Sequence, residues 1–308
     1  MKKATFFILL LPISAFSQVK DTLVPKKWQA EATYNLNGTQ TSFVNWSAGG
    51  RNNVSALASI IASAAYSNKA IKWTNDLSLS LGGLKYLEKD SKEKLQKTDD
   101  KIDLSTNIGY KLKEHFYLSV LGGFKTQMLD GFSFPNDSVR ISTFLAPGYV
   151  NLAVGIDYAP SKDISAFLSP LAMKLTIVND ALLANSGAFG VEPAIFDLFG
   201  NVVTKGKRMR EEVGAYFKLT YKKTLAKNID LKSKVELFSN YVVKPQNIDV
   251  NAEALFVFKV NSLFSASLQW NLLYDHDIQI LDAKGFTGPR TQFKSMLGLG
   301  LSYKMKSK

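Results

Sequence analysis

Cysteine is absent from this sequence and histidine occurs only twice. The first absence excludes disulfides, thiolate metal sites and a lipid-anchor cysteine. The second leaves His115 and His276 as the whole supply of imidazole bases. Also lacking is any apolar run of the roughly 20 residues that a membrane-spanning helix needs. The glycines offer no phosphate cradle, because Gly82-Gly83 and Gly122-Gly123 fall inside strand-like stretches with no helix following. Positive charge is plentiful, with 38 Lys and Arg against 26 Asp and Glu. It is scattered and interleaved with acids rather than gathered on one stripe, which argues against a nucleic-acid partner.

What is present begins with an export signal. Lys2 and Lys3 precede the apolar run Ala4 to Leu11, and Ala15-Phe16-Ser17 places small residues where a signal peptidase reads. The expectation is a signal peptide over 1–17, cleavage before Gln18, and a single domain over 18–308. Loss of the two lysines takes the formal net charge from +12 to about +10.

Beyond the leader, alternation of period two recurs to the end. The clearest case is Leu263 to Tyr274. Phe264, Ala266, Leu268, Trp270, Leu272 and Tyr274 share one side, and Ser265, Ser267, Gln269 and Asn271 share the other, as in a strand between lipid and a wet lumen. Trp28, Ala30, Ala32, Tyr34 and Leu36 alternate likewise with Gln29, Glu31, Thr33, Asn35 and Asn37. Between Ile164 and Asn179 the apolar parity switches across Ser169-Pro170, which predicts a β-bulge. About 12 such strands can be counted. The links at Asn68, Glu114, Lys162, Ala226 and Ser262 are short; those near Ala48, Lys92, Pro135, Val191, Pro245 and Lys284 are long. The charged run Lys85 to Lys101 reads as a solvated loop, and Asp180 to Gly206 as a long apolar loop that must pack on something. Strict alternation of short and long links predicts an all-β fold: a transmembrane antiparallel up-and-down β-barrel of the outer membrane, with periplasmic turns and termini and extracellular loops.

Several loop segments also resemble one family. These are KTDDKIDL (97–104), SFPNDSVRISTFLAPGY (133–149), VNDALLANSGAFGVEP (178–193), FSNYVVKPQNIDVN (238–251) and GPRTQFK (288–294). Together they resemble a Bacteroidota family of secreted, outer-membrane β-barrel proteins known only as a domain of unknown function. The likeness runs over nearly the whole mature chain, with a longer segment from Pro193 to Arg210. It implies location and architecture and no activity.

For function, strand parity places Glu31, Lys72, Asp76, Asp103, Arg210, Glu212, Lys218, Asp230, Lys232, Lys234, Glu236, Glu253, Lys259 and Lys294 on the lumen face. Interleaved signs allow cross-strand ion pairs that fill a narrow barrel, as well as a conducting lumen. The reading is a passive channel or facilitator for small polar solutes, with Asp180 to Gly206 folded over or into its mouth. A non-conducting scaffold that docks envelope proteins through its loops is the alternative. A rim hydrolase using His276 is weaker, because Asp275 and Asp277, as strand neighbours, point away from it. The acids Asp275, Asp277 and Asp282 lack the spacing of a calcium loop. No catalytic residue, metal or cofactor is expected; the surrounding partners are outer-membrane lipid and lipopolysaccharide.

Overall fold

The computed structural model describes residues 28–42, 51–87, 95–134, 136–281 and 285–307. The leader over 1–17, the glycine pair Gly49-Gly50 and Asp282 lie outside the described residues. Twelve strands close into one barrel. They are β1 (Trp28–Thr41), β2 (Asn53–Ser67), β3 (Ile71–Tyr86), β4 (Gln96–Lys113), β5 (Phe116–Thr126) and β6 (Gly148–Tyr158), followed by β7 (Ile164–Ile177), β8 (Met209–Ala226), β9 (Ile229–Asn240), β10 (Ile248–Lys259), β11 (Phe264–Tyr274) and β12 (Gln292–Lys306). Each pairs antiparallel with its successor, and β12 returns to β1 with Tyr303 opposite Tyr34. Closure removes the open edges that would otherwise expose unpaired backbone groups to lipid.

The period-two pattern explains which side faces out. Leu104, Ile108, Leu118, Val120, Leu152, Val154, Leu168, Leu171, Leu297 and Leu299 all lie exposed on the outer surface. In a water-soluble protein such a surface would be an association patch; around a barrel it is the lipid face. At the short-turn end the outward side chains become aromatic. Trp28 lies 5.3 Å from both Tyr66 and Trp73, and Phe116 lies 4.8 Å from Tyr158, between ring centroids. Aromatic rings collect at the head-group level of a bilayer, so this belt marks one membrane interface. The links at this end span only 68–70, 114–115, 159–163, 227–228 and 260–263, while the other end carries every long loop.

Two irregularities modify the regular ladder. In β7 one extra residue is inserted between Ser169 and Ala172 relative to both β6 and β8. Ser169 fills the bulge from inside: its hydroxyl lies 2.8 Å from the Val154 carbonyl and 2.7 Å from the Leu171 carbonyl. This is the parity switch expected at Ser169-Pro170. The partner strand must come unusually close there, and Gly155 provides the room. A Cβ on Gly155 would sit 2.1 Å from the Leu168 carbonyl oxygen. Gly155→Ala is therefore expected to force β6 away from β7 and cost about 1–3 kcal/mol, read as a lower urea midpoint for loss of the folded band on unheated gels. An unchanged midpoint would show that the bulge tolerates a side chain.

The second irregularity corrects the reading of 85–101 as a single loop. A bulge at Gly82-Gly83 keeps β3 paired with β4 as far as Gln96, so Gln96 to Lys101 belong to a strand. Alternation was obscured there because Lys97 and Asp99–Lys101 are all charged, and Lys97 and Asp100 bond to the Gln127–Leu129 stretch instead of facing lipid.

The interior is asymmetric. Leu121, Ala153, Phe167, Ala172, Tyr216 and Phe238 form a buried apolar cluster against the β5–β9 wall. The Phe167 and Tyr216 rings are 6.2 Å apart.

Candidate functional site

The inward-facing ionisable side chains form three tiers. At mid-height, Lys234 of β9 lies 2.7 Å from Asp103 of β4, 3.7 Å from Glu253 of β10 and 3.8 Å from Glu236. Lys101 of β4 lies 3.0 Å from Glu253. Lys125 of β5 is paired with Glu236, which also accepts hydrogen bonds from Tyr216 at 2.7 Å and Asn251 at 3.0 Å. Strands β4 and β9 stand on opposite sides of the ring, so these contacts cross the lumen. They form a girdle of three lysines and three carboxylates in which neither sign prevails. Such a cluster holds only because each buried charge has a partner.

Nearer the long loops, Lys174 of β7 gathers three carboxylates. Asp249 is at 2.6 Å, Asp275 at 2.9 Å and Glu212 at 3.7 Å. Arg210 lies 2.6 Å from Glu212 and 3.1 Å from Asp277, and donates to the Gly190 carbonyl at 3.3 Å. Across the mouth Lys294 meets Asp99 at 2.6 Å. Toward the short turns, Lys72 reaches Asp157 at 3.3 Å and Lys222 reaches Asp76 at 3.1 Å. Glu31 stands 3.0 Å from Lys304 and 3.9 Å from Lys232, and Lys259 is paired with Asp230. Lys218 donates to Ser105 at 3.2 Å.

All fourteen inward residues read from parity thus meet partners across or along the interior. The parity reading of the inner face omitted Asp99, Lys101, Lys125, Asp157, Lys174, Lys222, Asp249, Asp275, Asp277 and Lys304. For Lys125 and Lys174 the signal was available, since each has the parity of an inward neighbour. Lys101 was hidden by the misplaced strand boundary.

Two cavities lie in series between these tiers. One of about 370 Å³ sits between the mouth and the girdle, and touches Tyr149, Lys174, Phe238, Asn271 and Asp275. The other, about 140 Å³, sits between the girdle and the turns, and touches Ser63, Asp76, Lys218, Lys232 and Gln269. Lys101 and Glu253 line both. Their ion pair is a shared border of the two.

The apolar loop after Asn179 packs largely on its own elements. None of its residues lines either cavity. Asp180 starts a short helix, α1 (Ala181–Asn185), by accepting the amides of Leu182 and Leu183. Its other oxygen is held by Arg140 of the preceding long loop. Val178, Leu183, Ala184 and Val191 then pack with Ala146 into a cluster of their own. The Gly190–Arg210 contact pins this unit at the rim. Farther out, Ile195–Phe196 pairs with Val202–Thr204 as a small hairpin whose tip residues Leu198 and Phe199 are 102% and 91% exposed. Thus the loop sits at the mouth, where Gly190 meets Arg210 and Asp277.

The two histidines have different surroundings. His276 Nδ1 faces the Tyr274 hydroxyl at 3.4 Å, and among the described residues it makes no ion pair. Asp275 turns instead to Lys174. His115 occupies an exposed two-residue turn beside Glu114, 3.6 Å away.

Asp275 lies just beyond the end of β11. Burial alone would raise its pKa, but Lys174, the Asp277 amide and Arg210 hold it below the ordinary aspartate value. A carboxyl lowered in the folded state contributes stability above its unfolded pKa of about 3.9, and loses it as pH falls through the folded value. The rim contact is therefore expected to survive intact at pH 5. Asp275→Asn should flatten the acid limb of the stability curve below about pH 4, read by tryptophan fluorescence; an unchanged limb would assign the acid step elsewhere.

A closed barrel with an apolar outer face, an aromatic belt at its turn end and a salt-bridged interior is a transmembrane β-barrel of the outer-membrane type. Residues 39–132 match the family described as "Protein of unknown function (DUF3078)", a stretch that includes the segment 97–104. Comparison with curated proteins returns no match. Among solved structures, the chain is similar to an outer-membrane channel from Pseudomonas putida F1 at 12% identity and a TM-score of 0.39, covering 94% of this chain and 100% of that one. It is also similar to the translocator domain of the autotransporter NalP from Neisseria meningitidis at 11% identity and a TM-score of 0.35, over 91% and 89% of the two chains. The NanC porin aligns at 8% identity and a TM-score of 0.33, over 88% and 98%.

Proposed function

We propose that this chain is exported, loses its leader between Ser17 and Gln18, and serves in the outer membrane as a passive channel for small polar solutes. One observation carries the reading. Two cavities, each with charged side chains in its lining, lie in series along the barrel interior, with Lys101 and Glu253 bordering both. Side chains can move aside without unfolding any element, whereas a packed domain in the lumen could not. The inward residues from Glu31 to Lys294 act here as the solute-facing surface, and their balanced signs favour neutral or zwitterionic solutes over either ion class.

Purified protein in liposomes should accelerate swelling in isotonic small sugars or amino acids, with the rate falling steeply as solute size rises. Swelling no faster than in empty liposomes would overturn the reading.

A second reading, a scaffold that binds envelope proteins through its loops, is favoured by the hairpin at Ile195–Phe196 and Val202–Thr204. Its tip presents Leu198 and Phe199 to water, and exposed apolar side chains concentrated on an ordered hairpin are characteristic of docking surfaces. Leu198→Asp with Phe199→Asp should abolish co-purification of such a partner while leaving liposome swelling unchanged. Co-purification that persists in this variant would remove the hairpin from the account.

A further inference from the structure

The geometry points to a binding site for a small oxyanion in the turn-side cavity, built around Lys218 with Lys232 and the hydroxyl of Ser105. This deepens the channel reading by giving one chamber a charge preference, and only its role in transport rests on that reading.

The cavity's own charge inventory carries the argument. Five lysines border it, Lys101, Lys218, Lys222, Lys232 and Lys234, against three carboxylates, Asp76, Asp103 and Glu253. Three of the lysines are matched closely: Lys101 with Glu253 at 3.0 Å, Lys222 with Asp76 at 3.1 Å and Lys234 with Asp103 at 2.7 Å. The remaining two are not. Among the described residues Lys232 approaches only Glu31, at 3.9 Å, and that carboxylate is already closer to Lys304 at 3.0 Å. Lys218 makes no ion pair among the described residues; its ammonium donates to the neutral Ser105 hydroxyl. An ammonium withdrawn from bulk water is costly without a counter-charge, so two under-compensated lysines on one small cavity favour an anion there.

The other lining groups narrow the class. Ser63, Ser78, Ser105, Thr220 and Ser233 bring hydroxyls to the same cavity. Because Ser105 accepts from Lys218, its own proton is left to donate. Ammonium and hydroxyl donors from several strands suit an ion with several oxygens better than a halide, which gains nothing from distributed directional donors. The volume of about 140 Å³ is that of four or five waters at about 30 Å³ each, enough for phosphate or sulfate with part of its hydration. The outer cavity contrasts with this one, for its Lys174 is surrounded by three carboxylates.

Inorganic phosphate titrated calorimetrically at low salt into the full-length barrel in non-ionic micelles tests the site. Binding of one phosphate per chain is expected. Lys218→Met should weaken it about tenfold or more, since a charge-assisted hydrogen bond is lost, and Lys218→Arg should retain most of the affinity. Lys223→Gln, which alters an exposed lysine on the same strand, should leave it unchanged. If Lys218→Met does not reach the folded, heat-modifiable form, Ser105→Ala carries the same expectation with a loss of about two- to tenfold. No phosphate heat with wild-type protein, or equal weakening by Lys223→Gln, would overturn the assignment. The titration needs no conduction. Protein that binds phosphate but leaves liposomes impermeable would keep the site and lose the channel; permeable protein without binding would do the reverse.

Discussion

Replacing Lys234 by methionine is expected to destabilise the barrel by about 3–5 kcal/mol, the range for removing one partner of a buried ionic cluster. Lys234 is close to three carboxylates, but they do not depend on it equally. Glu253 retains Lys101, and Glu236 retains Lys125, Tyr216 and Asn251. Asp103 has only Lys234 among the described residues, and its side chain is 7% exposed. The variant would leave that carboxylate enclosed without a counter-ion. The loss should appear as a lower urea midpoint for the heat-modifiable band. Adding Asp103→Asn to Lys234→Met should recover most of it, because the orphaned charge goes with the substitution. If the double variant is no more stable than the single one, the damage arises from lost packing and the girdle is not held electrostatically.

The second large effect concerns conduction. Lys101→Ala combined with Glu253→Ala removes the two side chains that border both cavities, and is expected to widen the path between them. Each change alone leaves a buried charge behind, but the pair removes opposite charges together and keeps the girdle neutral. Stability should fall by less than for Lys234→Met, because Lys234 keeps Asp103 and Glu236 as partners. Liposome swelling should accelerate and the size cut-off should rise. Each 1.4 kcal/mol removed from a permeation barrier is worth about tenfold in rate. An unchanged cut-off would place the narrowest point elsewhere.

The barrel was legible because its physics is local. A strand between lipid and water must alternate, and a turn confined to one side of a membrane is short. Phe264 to Tyr274 therefore displayed their faces, and the links at Asn68 and Glu114 their side, without knowledge of any contact. Even the Ser169-Pro170 bulge left a trace, since an inserted residue inverts parity from Leu168 to Leu171. The boundary at Gln96 was not legible, because alternation is informative only where one face is apolar, and the rim of β4 is wet on both.

Pairing lay further out of reach. Parity placed Glu253 and Asp103 on the inner face, yet their partners Lys101 and Lys234 come from strands across the ring, as Lys72 comes to Asp157. Which inward residues meet at a given height depends on barrel closure and stagger, a property of all twelve strands together. The long loop illustrates the same limit. Its apolar residues announced that it packs; that it packs on Ala146 and its own helix followed from Asp180 capping α1 and holding Arg140.

The central claim is that the girdle yields, so that side chains alone gate a water-filled path through the barrel. Single-channel recording in planar bilayers addresses it directly. Wild-type protein should give discrete conductance steps of small amplitude, and Lys101→Ala with Glu253→Ala should give larger ones at the same applied voltage. Folded protein that inserts but shows no steps, in either form, would contradict the account.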